Sequence, residues 1–227
     1  MPPTTPLVSV IIPVFNGQAY LAEALASVSR QSMSQLEIVV IDDGSTDETT
    51  RVLQEFGDSR LRHAHQEQAG AATARNRGVQ EARGRYLAFL DADDLWSADK
   101  LQLQLADLER DGGMSFTLVD EFISPDCAKA LGASAQPRLG LGGGVTTLLV
   151  ARADFARVGP FDPQCRLGEF IEWRARATDL GLRSGTVPLP LTQRRLHLAN
   201  MTRARRPEAH LYAATLRRVL ERRRAAP

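Results

Sequence analysis

Cysteine is scarce in this chain, and the scarcity removes whole classes of protein. Only Cys127 and Cys165 occur in 227 residues. A disulfide framework uses more cysteines in a shorter secreted chain, so two free thiols in a reducing, cytoplasmic compartment are expected. Neither cysteine belongs to a CxxC pair, which excludes the common structural zinc spacing. Long apolar runs are also missing. The most apolar stretch, VSVIIPVF from Val8 to Phe15, is far too short to span a bilayer and contains Pro13. The MPPTTP ahead of it has no basic region of the kind that opens a secretory leader. Nor is there an excess of one charge. The formal net charge is +1, so the molecule as a whole does not attract nucleic acid, and no recognition motif accompanies its arginines. No repeat, linker or low-complexity segment divides the chain, and one domain over residues 1–227 is expected.

What is present is an ordinary globular composition, 43% hydrophobic and 24% charged, with length enough for a substantial core. Val8 to Phe15 is short, β-branched and nearly continuous, as a strand covered on both faces should be. Asn16-Gly17 ends it. Leu21, Ala24, Leu25 and Val28 then recur at helical spacing. Glu37 to Ile41 reads as a second strand. Ser45 and Glu48 form a capping-box pattern ahead of a helix that buries Val52, Leu53 and Phe56. Leu61 to Gln66, Gly70 to Ala82 and Arg85 to Leu90 continue as strand, helix and strand. This alternation argues for a parallel sheet with right-handed crossovers. Farther on, a helix is expected over Leu101 to Leu108 and a strand over Met114 to Ile123. A glycine-rich loop follows at Gly140 to Gly144, then a strand over Thr146 to Val150. The rest reads as a helix over Glu169 to Leu180, an extended segment over Thr186 to Leu196, and an amphipathic helix marked by Tyr212, Leu216, Val219 and Leu220.

The stretch AFLDADD, Ala88 to Asp94, ends an apolar run in three carboxylates within four positions. Ligands of parallel α/β sheets bind outside the carboxyl ends of the strands. Phe15-Asn16, Asp42-Asp43 and Asp91 to Asp94 all stand at such ends and therefore on one rim. Acids crowded there call for a cation. Hard divalent ions take oxygen ligands and few protein carboxylates when phosphates supply the rest.

The segments VSVIIPVFNGQAYLAEALASV, EIVVIDDGSTDET, GAATARNRGV and YLAFLDADDLW resemble the nucleotide-sugar-binding half of the inverting glycosyltransferases of family two. The resemblance is close over about the first hundred residues. It weakens through VGPFD and GEFIEW to RRLH. It implies the GT-A (Rossmann-like) α/β fold, a mostly parallel sheet flanked by helices. Residues 1–100 would be the nucleotide-sugar half, and residues 101–227 the acceptor half with a basic C-terminal helix. It also implies transfer of a sugar from a nucleoside diphosphate-sugar to an acceptor hydroxyl, with Mn2+ or Mg2+ as cofactor.

Carried over position by position, the pattern makes Asp93 the metal ligand, with His197 as a late second one. Asp91 falls to ribose or metal-bound water, and Ala92 beside it to the donor. Pro13, Phe15, Asn16, Asp43 and Arg75 fall to the donor, with Phe15 offering a ring face to the base and Asp43 accepting a ring N–H of uracil or thymine. Arg194 and Arg195 are alternatives for diphosphate contact. Inversion needs a general base, which the family places in a Glu-Asp pair opening a late helix. Here Glu169 matches the glutamate and Phe170 replaces the aspartate, leaving Glu169 as the base and Glu172 as competitor. A salt bridge to Arg176 is the structural reading of Glu172. Phe170 keeps open a second reading, a nucleotide-sugar-binding or scaffold protein without the chemistry. A nucleotidyltransferase is a third, and it lacks support because no glycine-rich phosphate loop follows Phe15. The acceptor could be a saccharide, lipid-linked or protein-borne. Arg217, Arg218, Arg222, Arg223 and Arg224 could form a solvated face or contact anionic lipid peripherally.

Overall fold

The computed structural model describes residues 5–128, 138–140, 144–165, 167–198 and 209–225. Among them one sheet holds nine strands: β1 (Val8–Val14), β2 (Leu36–Asp42), β3 (Leu61–His65), β4 (Tyr86–Phe89), β5 (Leu95–Trp96), β6 (Met114–Ile123), β7 (Leu139–Gly140), β8 (Leu149–Ala151) and β9 (Ser184–Leu196). The order is β3-β2-β1-β4-β8-β6-β9-β5, with β7 on β6. The first four strands are mutually parallel, and β6 pairs in parallel with β9. β8 enters antiparallel between β4 and β6. The helices are α1 (Leu21–Ser29), α2 (Thr49–Glu55), α3 (Ala71–Glu81), α4 (Lys100–Asp111), α5 (Arg152–Val158), α6 (Glu169–Asp179) and α7 (Ala209–Ala225).

The period-two alternation of β1 explains the layering. Val8, Val10, Ile12 and Val14 face one side, where they meet Leu21, Leu25 and Val28 of α1, Leu53 of α2 and Leu101 and Leu105 of α4. Ile11 faces the other side, with Ala72 of α3, Phe155 of α5 and Phe170 and Trp173 of α6. The chain steps outward from β1 to β2 to β3 with α1 and α2 on the first side. It then returns past β1 to β4 with α3 on the second. A reversal of direction at constant handedness requires that change of face. The reversal lies between β1 and β4, so the carboxyl ends of these strands flank the topological switch point.

Two local expectations need correction. The Ser45–Glu48 capping box does not form: α2 begins at Thr49, after Glu48. The Ser45 hydroxyl instead accepts the Asn16 N–H at 2.8 Å, and the Asp47 carboxylate accepts the Thr49 N–H at 3.0 Å. The segment expected as a strand from Thr146 opens as a 3-10 turn over Val145–Thr147, and β8 begins only at Leu149. The Thr147 hydroxyl donates to the Gly144 carbonyl at 2.8 Å and the Trp96 indole N–H to the Thr146 carbonyl at 3.1 Å, which hold the turn. Residues 141–143 of the glycine-rich loop lie outside the described residues.

Candidate active site

Antiparallel pairing of β5 with β9 sets Leu95 opposite Gln193 and Trp96 opposite Thr192. Extending that register backward brings the acids before β5 to the residues after Gln193. Asp94 accepts the Arg195 N–H at 3.0 Å, and Asp93 Oδ2 lies 2.9 Å from His197 Nε2. The His197 ring stacks obliquely on Tyr20, with centroids 4.7 Å apart. Burial first, and then the charges of Asp93 and Asp91, push the Asp94 carboxyl well above the usual range.

A cavity of about 680 Å³ opens over this rim, lined by Pro13, Phe15, Asn16, Asp43, Arg75, Asp91, Ala92, Asp93 and His197 among others. The donor-side residues read from the sequence therefore converge on one space. Phe15 is 46% exposed at the carboxyl end of β1, which excludes a core role for its ring. Asn16 adopts a left-handed backbone, φ 52°, and its amide oxygen accepts the Thr46 N–H at 2.8 Å, fastening the β1 and β2 ends together. Asp42 is the buried last residue of β2, not a turn residue, and its carboxylate accepts the Ser45 N–H at 2.9 Å. Asp43 is buried and accepts from Gln66 Nε2 at 2.7 Å, Ala69 N–H at 2.9 Å and Gly70 N–H at 2.8 Å. A carboxylate offers about four acceptor positions, so one remains for a ligand N–H.

A second cavity, about 1000 Å³, adjoins the first and shares Gly70, Arg75, Asp91, Asp94 and Arg194 with it. Its walls include Gly140, Gly144, Leu167, Glu169 and Tyr212. Glu169 is the first residue of α6, preceded by Gly168 at φ 84°, a backbone conformation that suits glycine. Its Oε1 accepts Arg75 Nη1 at 2.7 Å, while Arg75 Nη2 donates to Asp91 Oδ1 at 2.6 Å. The contacts of Arg75 are thus with Asp91 and Glu169, and none of its bonds goes to Asp43. Burial opposes its charge, but the Asp91 and Glu169 carboxylates outweigh that and raise its pKa.

Glu172 is not brought to either cavity. Its buried carboxylate receives Arg176 Nε at 3.0 Å and Arg222 Nη1 at 2.6 Å. On a helix, three positions place 169 and 172 about 60° apart, enough to send one to the cavity and the other to α7. Phe170 packs in the core against Phe116 and Trp173 at 6.3 and 6.0 Å between centroids. Arg195 is also buried away from the cavities, between Tyr20 and Phe122 and on Glu23 Oε2 at 2.8 Å. Arg194 reaches both cavities and donates to Glu121. Three of the five C-terminal arginines pair with acids of α6 and its flanks, Arg218 and Arg223 while remaining exposed. Arg218 pairs with Asp162, Arg222 with Glu172 and Asp179, and Arg223 with Asp179. The roles of Tyr20 and Tyr212 carried no local signal in the sequence, because each arises from packing across more than forty positions.

The donor set suits a hard or borderline divalent ion. Asp93 Oδ2 and His197 Nε2 lie at hydrogen-bond distance, 2.9 Å, and a carboxylate oxygen and an imidazole nitrogen are both donor types that such an ion takes. Among the described residues no group of three or more His, Cys, Asp or Glu side chains could hold a metal. Two protein ligands fit an ion that shares its coordination with substrate phosphates.

An acid-rimmed switch point between parallel strands, backed by a mixed second half in which β8 runs antiparallel, is the arrangement of the GT-A class of glycosyltransferase folds. Solved structures bear this out. The mannosyltransferase PcManGT of Pyrobaculum calidifontis, in complex with GDP-Man and Mn2+, superposes with TM-score 0.75 at 19% identity, over 97% of this chain and 66% of that one. S. aureus TarS 1-349 in complex with UDP gives TM-score 0.70 at 18% identity, over 83% of this chain and 60% of that one. Residues 9–124, just over half the chain, match the family model for Glycosyl transferase family 2, and the chain belongs to that family. It is 45% identical over 116 residues to the putative teichuronic acid biosynthesis glycosyltransferase TuaG of Bacillus subtilis, covering 49% of this chain and 46% of that protein. It is 43% identical over 101 residues to the UDP-Glc:alpha-D-GlcNAc-diphosphoundecaprenol beta-1,3-glucosyltransferase WfgD of Escherichia coli, covering 44% of this chain and 40% of that protein. The match thus spans less than half the length of these curated relatives. Among the described residues no helix is long and apolar enough to cross a membrane.

Proposed function

We propose that this chain is a metal-dependent, inverting glycosyltransferase of hexosyl type that uses a UDP- or dTDP-linked donor and acts in the cytoplasm. The observation that carries the reading is the meeting of Asp43, Asp91, Asp93 and His197 around one cavity, with Glu169 at the mouth of the next. The base lies between Phe15 and the free acceptor position of Asp43. The diphosphate extends toward Asp91, Asp93 and His197. Mn2+ or Mg2+ would be held by Asp93 and His197 and, when bound, would offset the charge that gathers on the departing diphosphate. His197 favours Mn2+, because imidazole suits it better than Mg2+.

Glu169 is the general base. The acceptor oxygen attacks the anomeric carbon from the second cavity, its proton passes to the Glu169 carboxylate, and the bond to the diphosphate breaks on the opposite side. Only the Arg75-bound Oε1 of Glu169 is engaged, so Oε2 is available for that proton. The acceptor is a hydroxyl of a saccharide, lipid-linked or protein-borne, and peripheral contact with an anionic membrane through α7 would bring a lipid-linked one within reach.

A panel of nucleoside diphosphate-sugars, scored by thermal shift with and without Mn2+, tests the donor, since ligands specific to the folded state raise Tm. UDP-sugars should shift it most, and only with the metal. Proton NMR of the product from the best donor, incubated with saccharide and lipid-diphosphate acceptors, reads the anomeric configuration. Retained configuration overturns the inverting mechanism. Metal-dependent binding without transfer to any acceptor would favour the binding-protein reading that Phe170 raises.

A further inference from the structure

Arg75 stands in the wall shared by the two cavities and is 3% exposed. One planar guanidinium spans two carboxylates from distant parts of the chain, Asp91 after β4 and Glu169 at the start of α6. Its Nε–H is buried with no hydrogen-bond partner. An unpaired buried N–H is uncommon, and the hydrogen bonds that hold this guanidinium are those of Nη1 and Nη2 to the two carboxylates. Its backbone is anchored as well. The N–H of Gly70, the residue that opens α3 at φ 92°, is bound by Asp43, so the helix that carries Arg75 is fixed to the residue that reads the base.

We infer that Arg75 is the positioning residue for Glu169 and transmits occupancy of the donor cavity to it. The inference rests on the donor and base assignments above. A rigid fork cannot change its bond to one carboxylate without changing the other. A donor that engages Asp91 alters the charge facing Nη2, and the guanidinium shifts its hold on Glu169 in response. In the free chain Glu169 is therefore held by Arg75, and it takes up its proton-accepting position as the donor settles.

The test reads Glu169 without turnover. Protein labelled with 13C-glutamate gives a side-chain carboxyl resonance for Glu169, assigned by its loss in E169Q. Titration with UDP and Mg2+, chosen as diamagnetic, should move that resonance in the wild type. In R75M it should stay still, although calorimetry shows UDP binding retained within about tenfold. Should R75M fail to fold, R75K keeps the charge without the fork, and the movement should fall at least about threefold. Equal movement in the variant, or a stationary resonance in wild type that binds UDP, overturns the inference. Wild type that binds no UDP sinks the donor reading first, and is told apart by the same calorimetry. In UDP-glucose turnover, R75M and E169Q should be strongly non-additive, with the double variant no slower than E169Q alone. Multiplying losses would show that Arg75 acts elsewhere.

Discussion

His197 Nε2 lies 2.9 Å from Asp93 Oδ2, joining two residues 104 positions apart. Nothing local to either residue creates this pair. It follows from two strand pairings, β5 on β9 and β9 on β6, which bring the end of β9 back to the acids.

Replacing Asp93 with alanine should abolish the Mn2+-dependent part of UDP binding, because the proposed metal site would lose its carboxylate. His197→Ala should weaken that part by roughly 10- to 100-fold and narrow the preference for Mn2+ over Mg2+. Calorimetry with UDP in each metal separates the two effects. Unchanged affinity in Asp93→Ala would remove the metal from this site.

The two glutamates of α6 should behave differently. Glu169→Gln should lower turnover by roughly 10²- to 10⁴-fold with donor binding retained, the signature of a lost general base. Glu172→Gln should leave turnover nearly intact. It removes the negative charge between Arg176 and Arg222, at a cost of about 1–3 kcal/mol seen as a lower Tm. A reversal of these results would move the base to Glu172 and contradict its orientation toward α7.

The rim was legible in the sequence and the second half much less so. β1 and β2 are continuous β-branched runs, and the side chains at their ends had to share an edge once the sheet was parallel. Phe15, Asn16, Asp43, Asp91 and Asp93 could therefore be placed on one rim from the sequence, and they line one cavity. The pairing of Asp93 with His197 came only from the family resemblance and not from the residues' own pattern, because it depends on the register of a two-residue strand, Leu95–Trp96. α5 was missed because RADFARV buries only Phe155 and Val158. The arginines of α7 looked uniform in the sequence, yet three of them serve Asp162, Glu172 and Asp179, and composition does not reveal which way a helix turns.

Lys100 is fully buried at the start of α4, its ammonium 3.9 Å from the centre of the Trp96 ring and 2.7 Å from Gln104 Oε1. Among the described residues no carboxylate pairs with it, and burial lowers its pKa well below 10.5. The unfolded chain therefore binds more protons at this residue between the lowered value and 10.5. Stability from this group rises with pH through that window, and the charged form is penalised below it. Lys100→Met should remove that slope. Urea midpoints at pH 7 and pH 9.5 should rise for the wild type relative to the variant. Parallel curves would mean that the Trp96 face and Gln104 keep the ammonium charged.

The outer face of α7 carries the membrane prediction. Thr215 donates to the Leu167 carbonyl, and Arg218, Arg222 and Arg223 pair across α6 and its flanks, which fixes the helix's rotation. Leu216 and Leu220 are then left 49% and 53% exposed. Exposed Arg217 and Arg224 flank them on the same face. That combination suits the surface of an anionic bilayer, where each arginine contributes about 1 kcal/mol and leucines enter the headgroup boundary. The protein should sediment with phosphatidylglycerol vesicles and not with phosphatidylcholine vesicles. Arg217→Ala with Arg224→Ala should reduce the partition by roughly 30-fold, the equivalent of about 2 kcal/mol. Leu216→Glu should weaken it further without lowering Tm. Arg222→Ala should lower Tm instead, since it uncouples α7 from Glu172. Equal binding to neutral and anionic vesicles, or a partition unmoved by the double alanine variant, would make this face an ordinary solvated surface. The acceptor would then have to reach the second cavity from solution.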